Sequence, residues 1–215
     1  MKPQERAERL TRRIESFSDV VIGFGLALLA LTLSIPPHIV ELVTNPWWLI
    51  AYFWTFLVIS GLWYNHQRLF THFFCPEPLT IGLNFAFLST IGLLVFFVQV
   101  FVHYHDSFQR FWAFLAYFSA FGLGFTIMGV LYLHGTWRRW LQLDGEDRYT
   151  GLLQAARGII GGVALLIGVA LSASRAAKTF DDLLPLGLSV TIGFIGVRVA
   201  MAILKPRIAN PQTVR

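Results

Sequence analysis

Six apolar stretches, each about as long as a bilayer is thick, constrain this chain more than any other feature. A helix rises about 1.5 Å per residue, so roughly 20 apolar residues cross the hydrocarbon layer. The stretches are Phe17–Ile35, Trp47–Leu69, Leu79–Val102, Phe108–Leu133, Leu152–Ser172 and Leu183–Leu204. The breaks between them carry turn chemistry, as in Pro36-Pro37, Asn45-Pro46 and Cys75-Pro76-Glu77-Pro78. The expected fold class is all-α, an integral membrane bundle of six transmembrane helices. Residues 1–16 read as a basic N-terminal segment, 17–204 as the helical membrane domain, and 205–215 as a tail that frays after Lys205. The first stretch does not read as a cleavable signal, because Glu5, Glu8 and Glu15 stand in its flank.

Composition narrows the function classes. Only 13% of the residues are charged, against about a quarter in soluble domains. The 20 Phe and 7 Trp are too many to hide in one small soluble core. A net charge of +5 in so apolar a chain points to a membrane surface rather than to nucleic acid. The single cysteine, Cys75, leaves no internal disulfide and argues against a cysteine-based zinc site.

Charge also orients the bundle. With six crossings, one side collects Lys2, Arg6, Arg9, Arg12, Arg13, Arg68, Arg138, Arg139, Arg148, Arg157, Lys205, Arg207 and Arg215. The other side collects Arg110, Arg175 and Lys178, and Arg198 falls inside a span. The positive-inside rule then places both termini in the cytoplasm. Trp47-Trp48, Trp63, Trp112, Trp137 and Trp140 fall near span ends, where interfacial anchors belong.

On a helical wheel of the first span, Leu28, Leu31 and Ile35 lie within about 40° of Phe24. Beside this large apolar stripe run Gly23, Ala27, Ala30 and Ser34, small enough to let helices approach closely in lipid. Ile22, Leu26, Leu29 and Leu33 form the back face, and Asp19 points toward that side. The pattern fits a buried bundle helix with a packing seam. The sharper alternative is a pore-lining helix whose large stripe faces a symmetry axis, and the pattern alone does not separate the two.

Ionisable groups within membrane spans are costly and mark candidate functional positions. Asp19, His66 with Asn65, and Asn84 fall at comparable depths from the same membrane face. The expected partners of Asp19 are His66, Asn65, Arg13 and Arg198. Such a tie holds helix ends together, and through His66 it could respond to protonation near neutral pH. His103-Tyr104-His105-Asp106 is a weak metal-ligand pattern, and no metal site is expected. Neither a nucleophile–base arrangement nor a phosphate loop is present, so the chain does not read as an enzyme.

Two motifs carry a family resemblance. Arg13-x-x-x-Phe17-Ser18-Asp19 resembles the R-x-x-x-F-S-D signature that opens the first helix in the transmembrane protein 175 family of potassium channels. Trp63-Tyr64-Asn65-His66-Gln67-Arg68-Leu69-Phe70 resembles that family's W-x-N-H-x-x-L-F run at the end of the second helix. Six spans with cytoplasmic termini are similar to the prokaryotic form. The resemblance implies a homotetramer in the lipid bilayer around a pore lined by the first helix. It implies potassium ions as the permeant species, and no cofactor. Phe24 would occupy the first constriction layer and Leu31 a deeper one, with Leu28 or Ala27 between them and Ile35 beyond as a further lining position. Asp19 would hold the pore helix against its own subunit, within a structural network of Arg13, Phe17, Ser18, Asp19, Asn65 and His66. Two departures stand out: Phe24 replaces a branched aliphatic residue, and Ala27 stands where some members have Thr.

The leading expectation is a potassium-selective or potassium-preferring cation channel, closed by a hydrophobic constriction. The alternatives are a non-conducting membrane scaffold and, less favoured, a secondary ion transporter. Transporters usually place polar groups at the membrane midplane, and these spans are apolar there. The host membrane is expected to be a prokaryotic plasma membrane.

Overall fold

The computed structural model describes residues 3–31, 33, 47–104, 107–174 and 183–209. The described residues form six long helices: α1 (Pro3–Ala30), α2 (Trp47–His72), α3 (Pro78–His103), α4 (Ser107–Arg138), α5 (Gly145–Ala173) and α6 (Leu184–Ala209). The all-α, six-helix reading holds in number and order. Among the described residues, α3, α4 from Phe108, and α5 are long and apolar enough to cross a membrane. Leu184–Val199 of α6 forms a shorter apolar run. The charged first half of α1, and the Trp, Tyr and Asn65–Arg68 positions of α2, dilute the hydropathy of those two helices.

The boundaries differ from the hydropathy reading at three places. The first helix begins at Pro3, so the basic segment and the apolar stretch are one continuous helix. Its charged turns sustain themselves by i,i+4 pairing, as between Glu8 and Arg12 at 3.8 Å. The same helix ends at Ala30 rather than Ile35; Leu31 and Leu33 donate to the carbonyls three residues back, the tighter pattern of a helix end. At the other terminus, α6 continues past Lys205 to Ala209. Ile35, Ser34, Pro36-Pro37, Asn45-Pro46, His105, Asp106 and residues 175–182 lie outside the described residues.

α1 packs on α2 and α3, while α4, α5 and α6 form a closely packed series joined to the rest chiefly through α3. The core between the first four helices includes Leu29, Ile59, Leu69, Phe87, Leu94 and Leu131. α5 buries Gly151, Ala155, Gly158, Gly162 and Gly168 along one side. Small residues there let backbones touch: a Cβ at Gly158 would stand 2.5 Å from the Cα of Gly129 on α4. In lipid, where burial of apolar surface gives helices little reason to associate, such contact supplies the attraction.

The α2–α3 turn is clasped to the end of α4. Glu77 forms a capping box with Thr80 at the start of α3. Its carboxylate also accepts from Arg138 Nη2 at 2.9 Å and faces His134 Nε2 at 3.3 Å. Arg139 donates to the carbonyls of His72 and Phe74, both at 2.9 Å, satisfying the end of α2.

Candidate functional site: the first helix and its polar tie

α1 has two opposed faces. Ile14, Ser18, Ile22 and Leu29 are buried against the rest of the bundle, and Leu26 packs partly against the core. The opposite stripe is open: Phe17, Val20, Phe24 and Leu31 are exposed, Phe24 at 63% and Leu31 at 77%. Leu28 sits at its margin, and Ala27 and Gly23 are exposed beside it. The wheel's large stripe and its back face are therefore separated as the periodicity indicates. The two glycines flanking Phe24 differ in role. Gly23 has open space around it, whereas a Cβ at Gly25 would stand 3.2 Å from Ile91 of α3. Gly25 thus lets α1 approach α3 closely.

Two polar layers bind the buried face. In the first, the Oδ1 atom of Asp19 accepts from Trp63 Nε1 at 3.0 Å and from Gln67 Nε2. In the second, His66 Nε2 lies 2.8 Å from Asn84 Oδ1, and Asn84 Nδ2 donates to Ser18 Oγ at 3.0 Å. Ser18 in turn donates to the carbonyl of Ile14 at 2.8 Å. Because Asn84 Oδ1 can only accept, His66 Nε2 carries the proton, and the donors run in one direction, from α2 through Asn84 of α3 to α1.

These contacts correct the expected partners of Asp19. His66 and Asn65 are on the same helix as the true partners but turned away. Trp63 and Gln67 are four residues apart and share one face, which is the face toward Asp19. Asn65 donates to Gly61 in its own helix, and its carbonyl accepts from Tyr132 of α4 at 2.7 Å. Arg13 is exposed, and Arg198 lies on α6 in a cleft that Asp19 does not line. Phe17 meets Phe85 of α3 edge-on at 5.8 Å.

The protonation reading of His66 also changes. Its ring stacks on Phe87 at 5.3 Å and lies 4.7 Å from Phe70, and its Nδ1 has no hydrogen-bond partner. A second ring proton would have no acceptor to meet, so the geometry suits a fixed neutral link rather than a charge switch. Glu15, one turn before Asp19, has its carboxyl raised above the ordinary value, first by burial and then by the Asp19 charge. The sequence reading missed Trp63, Gln67 and Tyr132; the i,i+4 spacing of Trp63 and Gln67 was the available signal.

Residues 13–95, from Arg13 on α1 through α2 and most of α3, match the model of the family described as "Endosomal/lysosomal potassium channel TMEM175". Over that segment the chain is similar to the TMEM175 family. The match contains both polar layers, so the tie lies wholly within the matched segment. Among solved structures, the chain is similar to a lysosomal potassium-selective channel TMEM175 homolog from Chamaesiphon minutus. Identity is 22%, coverage is 91% of this chain and 97% of that one, and the TM-score is 0.60. It is also similar to a variant of the potassium channel MtTMEM175, solved with a Nanobody-MBP fusion protein. There the identity is 20%, coverage is 87% and 92%, and the TM-score is 0.60. These likenesses show that the fold of the TMEM175 structures extends over α4–α6, beyond the family match. No curated protein sequence matches the chain.

Proposed function

We propose that this chain is the subunit of a potassium-selective or potassium-preferring channel, assembled as a homotetramer with α1 innermost. The observation that carries the reading is the division of α1. One face is fastened to α2 and α3 through Asp19 and Ser18, while the face bearing Phe24 and Leu31 is uncovered in the single subunit. A single helix cannot enclose a path, and closed rotational symmetry supplies the other walls. Phe24, Leu28 and Leu31 then form a hydrophobic constriction that conducts only when wide enough to wet. Ala27 and Ile35 are the further lining positions. The excess of Lys and Arg on one side supports cytoplasmic termini, and the proposed host membrane is a prokaryotic plasma membrane. The permeant ion is potassium, with no resident cofactor, no catalysis and no nucleic-acid partner.

The test is current recording from the purified protein in planar bilayers under opposed potassium and sodium gradients. The expected reversal potential lies toward the potassium equilibrium potential. A tetramer that passes no current across pH and voltage would instead be a scaffold.

A further inference from the structure

The charges on the first half of α1 are sorted by face. Counted at about 100° per residue, Arg6 falls in line with Phe24, Arg13 about 20° from it, and Arg9 about 60° from it on the side of Val20. The acids Glu5, Glu8, Glu15 and Asp19 stand about 100–180° from the same line. Glu8 is engaged there by Arg12, at 3.8 Å. Arg6, Arg9 and Arg13 are exposed, and among the described residues none of them makes an ion pair. α1 runs unbroken from Pro3 to Ala30, so the open stripe of Val20, Phe24 and Leu31 continues toward the N-terminus as a column of guanidinium groups. Along the helix axis Arg9 stands about 12 Å and Arg6 about 16.5 Å before Phe17, where the apolar stretch begins. The headgroup layer on each face of a bilayer is only about 5–8 Å thick. Arg13 thus lies at headgroup level, and Arg9 and Arg6 lie beyond lipid.

We infer that the N-terminal ends of α1 in the four subunits together bind one soluble, multiply charged, phosphate-bearing anion on the axis, outside the membrane. In the tetramer proposed above, on which this reading rests, the face that looks onto the axis at Phe24 also looks onto it at Arg6 and Arg9. These two residues from each subunit surround the site, with Arg13 at its inner edge. A cation path through a mouth of this sign needs counter-charge, and this face of α1 offers no carboxylate. Phosphate oxygens match the forked donors of guanidinium. Four equal arms suit a compact anion with charge on every side better than an acidic peptide, which has one sequence to offer all four.

The test is isothermal titration calorimetry of the full chain in phosphatidylcholine nanodiscs, with tripolyphosphate as the probe and the subunit count measured by native mass spectrometry. Wild type is expected to bind one tripolyphosphate per four chains, with affinity falling as salt rises. Arg6→Gln with Arg9→Gln should weaken binding by about tenfold or more, the equivalent of one charge-assisted contact. Both side chains are exposed outside the membrane, so the tetramer should persist. Arg12→Gln removes the same charge from the far side of the helix and should change affinity by about twofold or less. Binding should survive, though weaker, when phosphatidylglycerol replaces part of the phosphatidylcholine; its complete loss would assign the arginines to lipid and overturn the inference. So would one tripolyphosphate bound per chain, or an equal loss of affinity in Arg12→Gln. A tetramer that binds none overturns the inference alone, whereas a monomer overturns the proposed assembly and the inference with it.

Discussion

The indole N–H of Trp63 donates to the carboxylate of Asp19 across 3.0 Å, joining α2 to α1. Gln67 donates to the same oxygen from one turn further along α2. One acceptor thus fixes both the rotation and the height of α1 against its neighbour. Hydrogen bonds to a charged group contribute about 1.5–3 kcal/mol. Trp63→Phe and Gln67→Leu should each lower the melting temperature of the assembly. Combined with Asp19→Asn they should cost less than the sum, because the three share one contact. Heating followed by size-exclusion chromatography reads this directly. Asp19→Asn should leave the reversal potential in place; a shifted potential would put Asp19 on the ion path.

Phe24 and Leu26 are two residues apart and lie on different faces, one 63% exposed and the other packed partly on the core. Phe24→Ala removes four rings from the proposed constriction and should raise potassium current at equal tetramer density. Leu26→Ala should act through packing, at a cost of about 2 kcal/mol or more, and leave current per channel nearly unchanged. Equal or reversed currents would take Phe24 out of the gate.

Leu31 is 77% exposed just past the end of α1, while Leu29, two residues earlier, is fully buried. In a Cys75→Ser background, Leu31→Cys should form a disulfide-linked dimer band on mild oxidation in lipid. Leu29→Cys should form none. The absence of a band from Leu31→Cys would argue against α1 helices meeting at an axis.

Glu77 has a carboxyl held below the ordinary value of 4.5, chiefly by the hydrogen bond from Arg138. Its contribution to the clasp is therefore complete above pH 4.5 and is lost as pH falls through the depressed value. Amides of the α2–α3 turn should stay protected down to that range in wild type and open below it. In Glu77→Gln they should exchange faster already at neutral pH, with little further change on acidification. Hydrogen exchange across residues 72–80 distinguishes the two.

Periodicity within one helix was legible; relations between helices were not. The faces of α1 could be read because Ile22, Leu29 and Phe24 fix its rotation relative to apolar surroundings. The partners of Asp19 could not, because a wheel of α1 does not say how α2 is turned. Hydropathy missed the early start of α1 at Pro3, since charged turns such as Glu8 to Arg12 are helical without being apolar. The sequence reading took small-residue spacing only on the first span, and the structure adds the seam that pairs Gly158 of α5 with Gly129 of α4.

The α4–α5 seam is built from side chains that are missing. Bulk added at Gly158 alone strikes the backbone at Gly129, and bulk added at Gly162 alone strikes the carbonyl of Gly122. Neither helix can therefore improve its own packing by a single step. A larger residue on one strand of the seam is tolerated only with a compensating shift in the other, so substitutions there should be strongly coupled. Over generations, the two helices are held to a joint history: they vary together, or they keep their glycines.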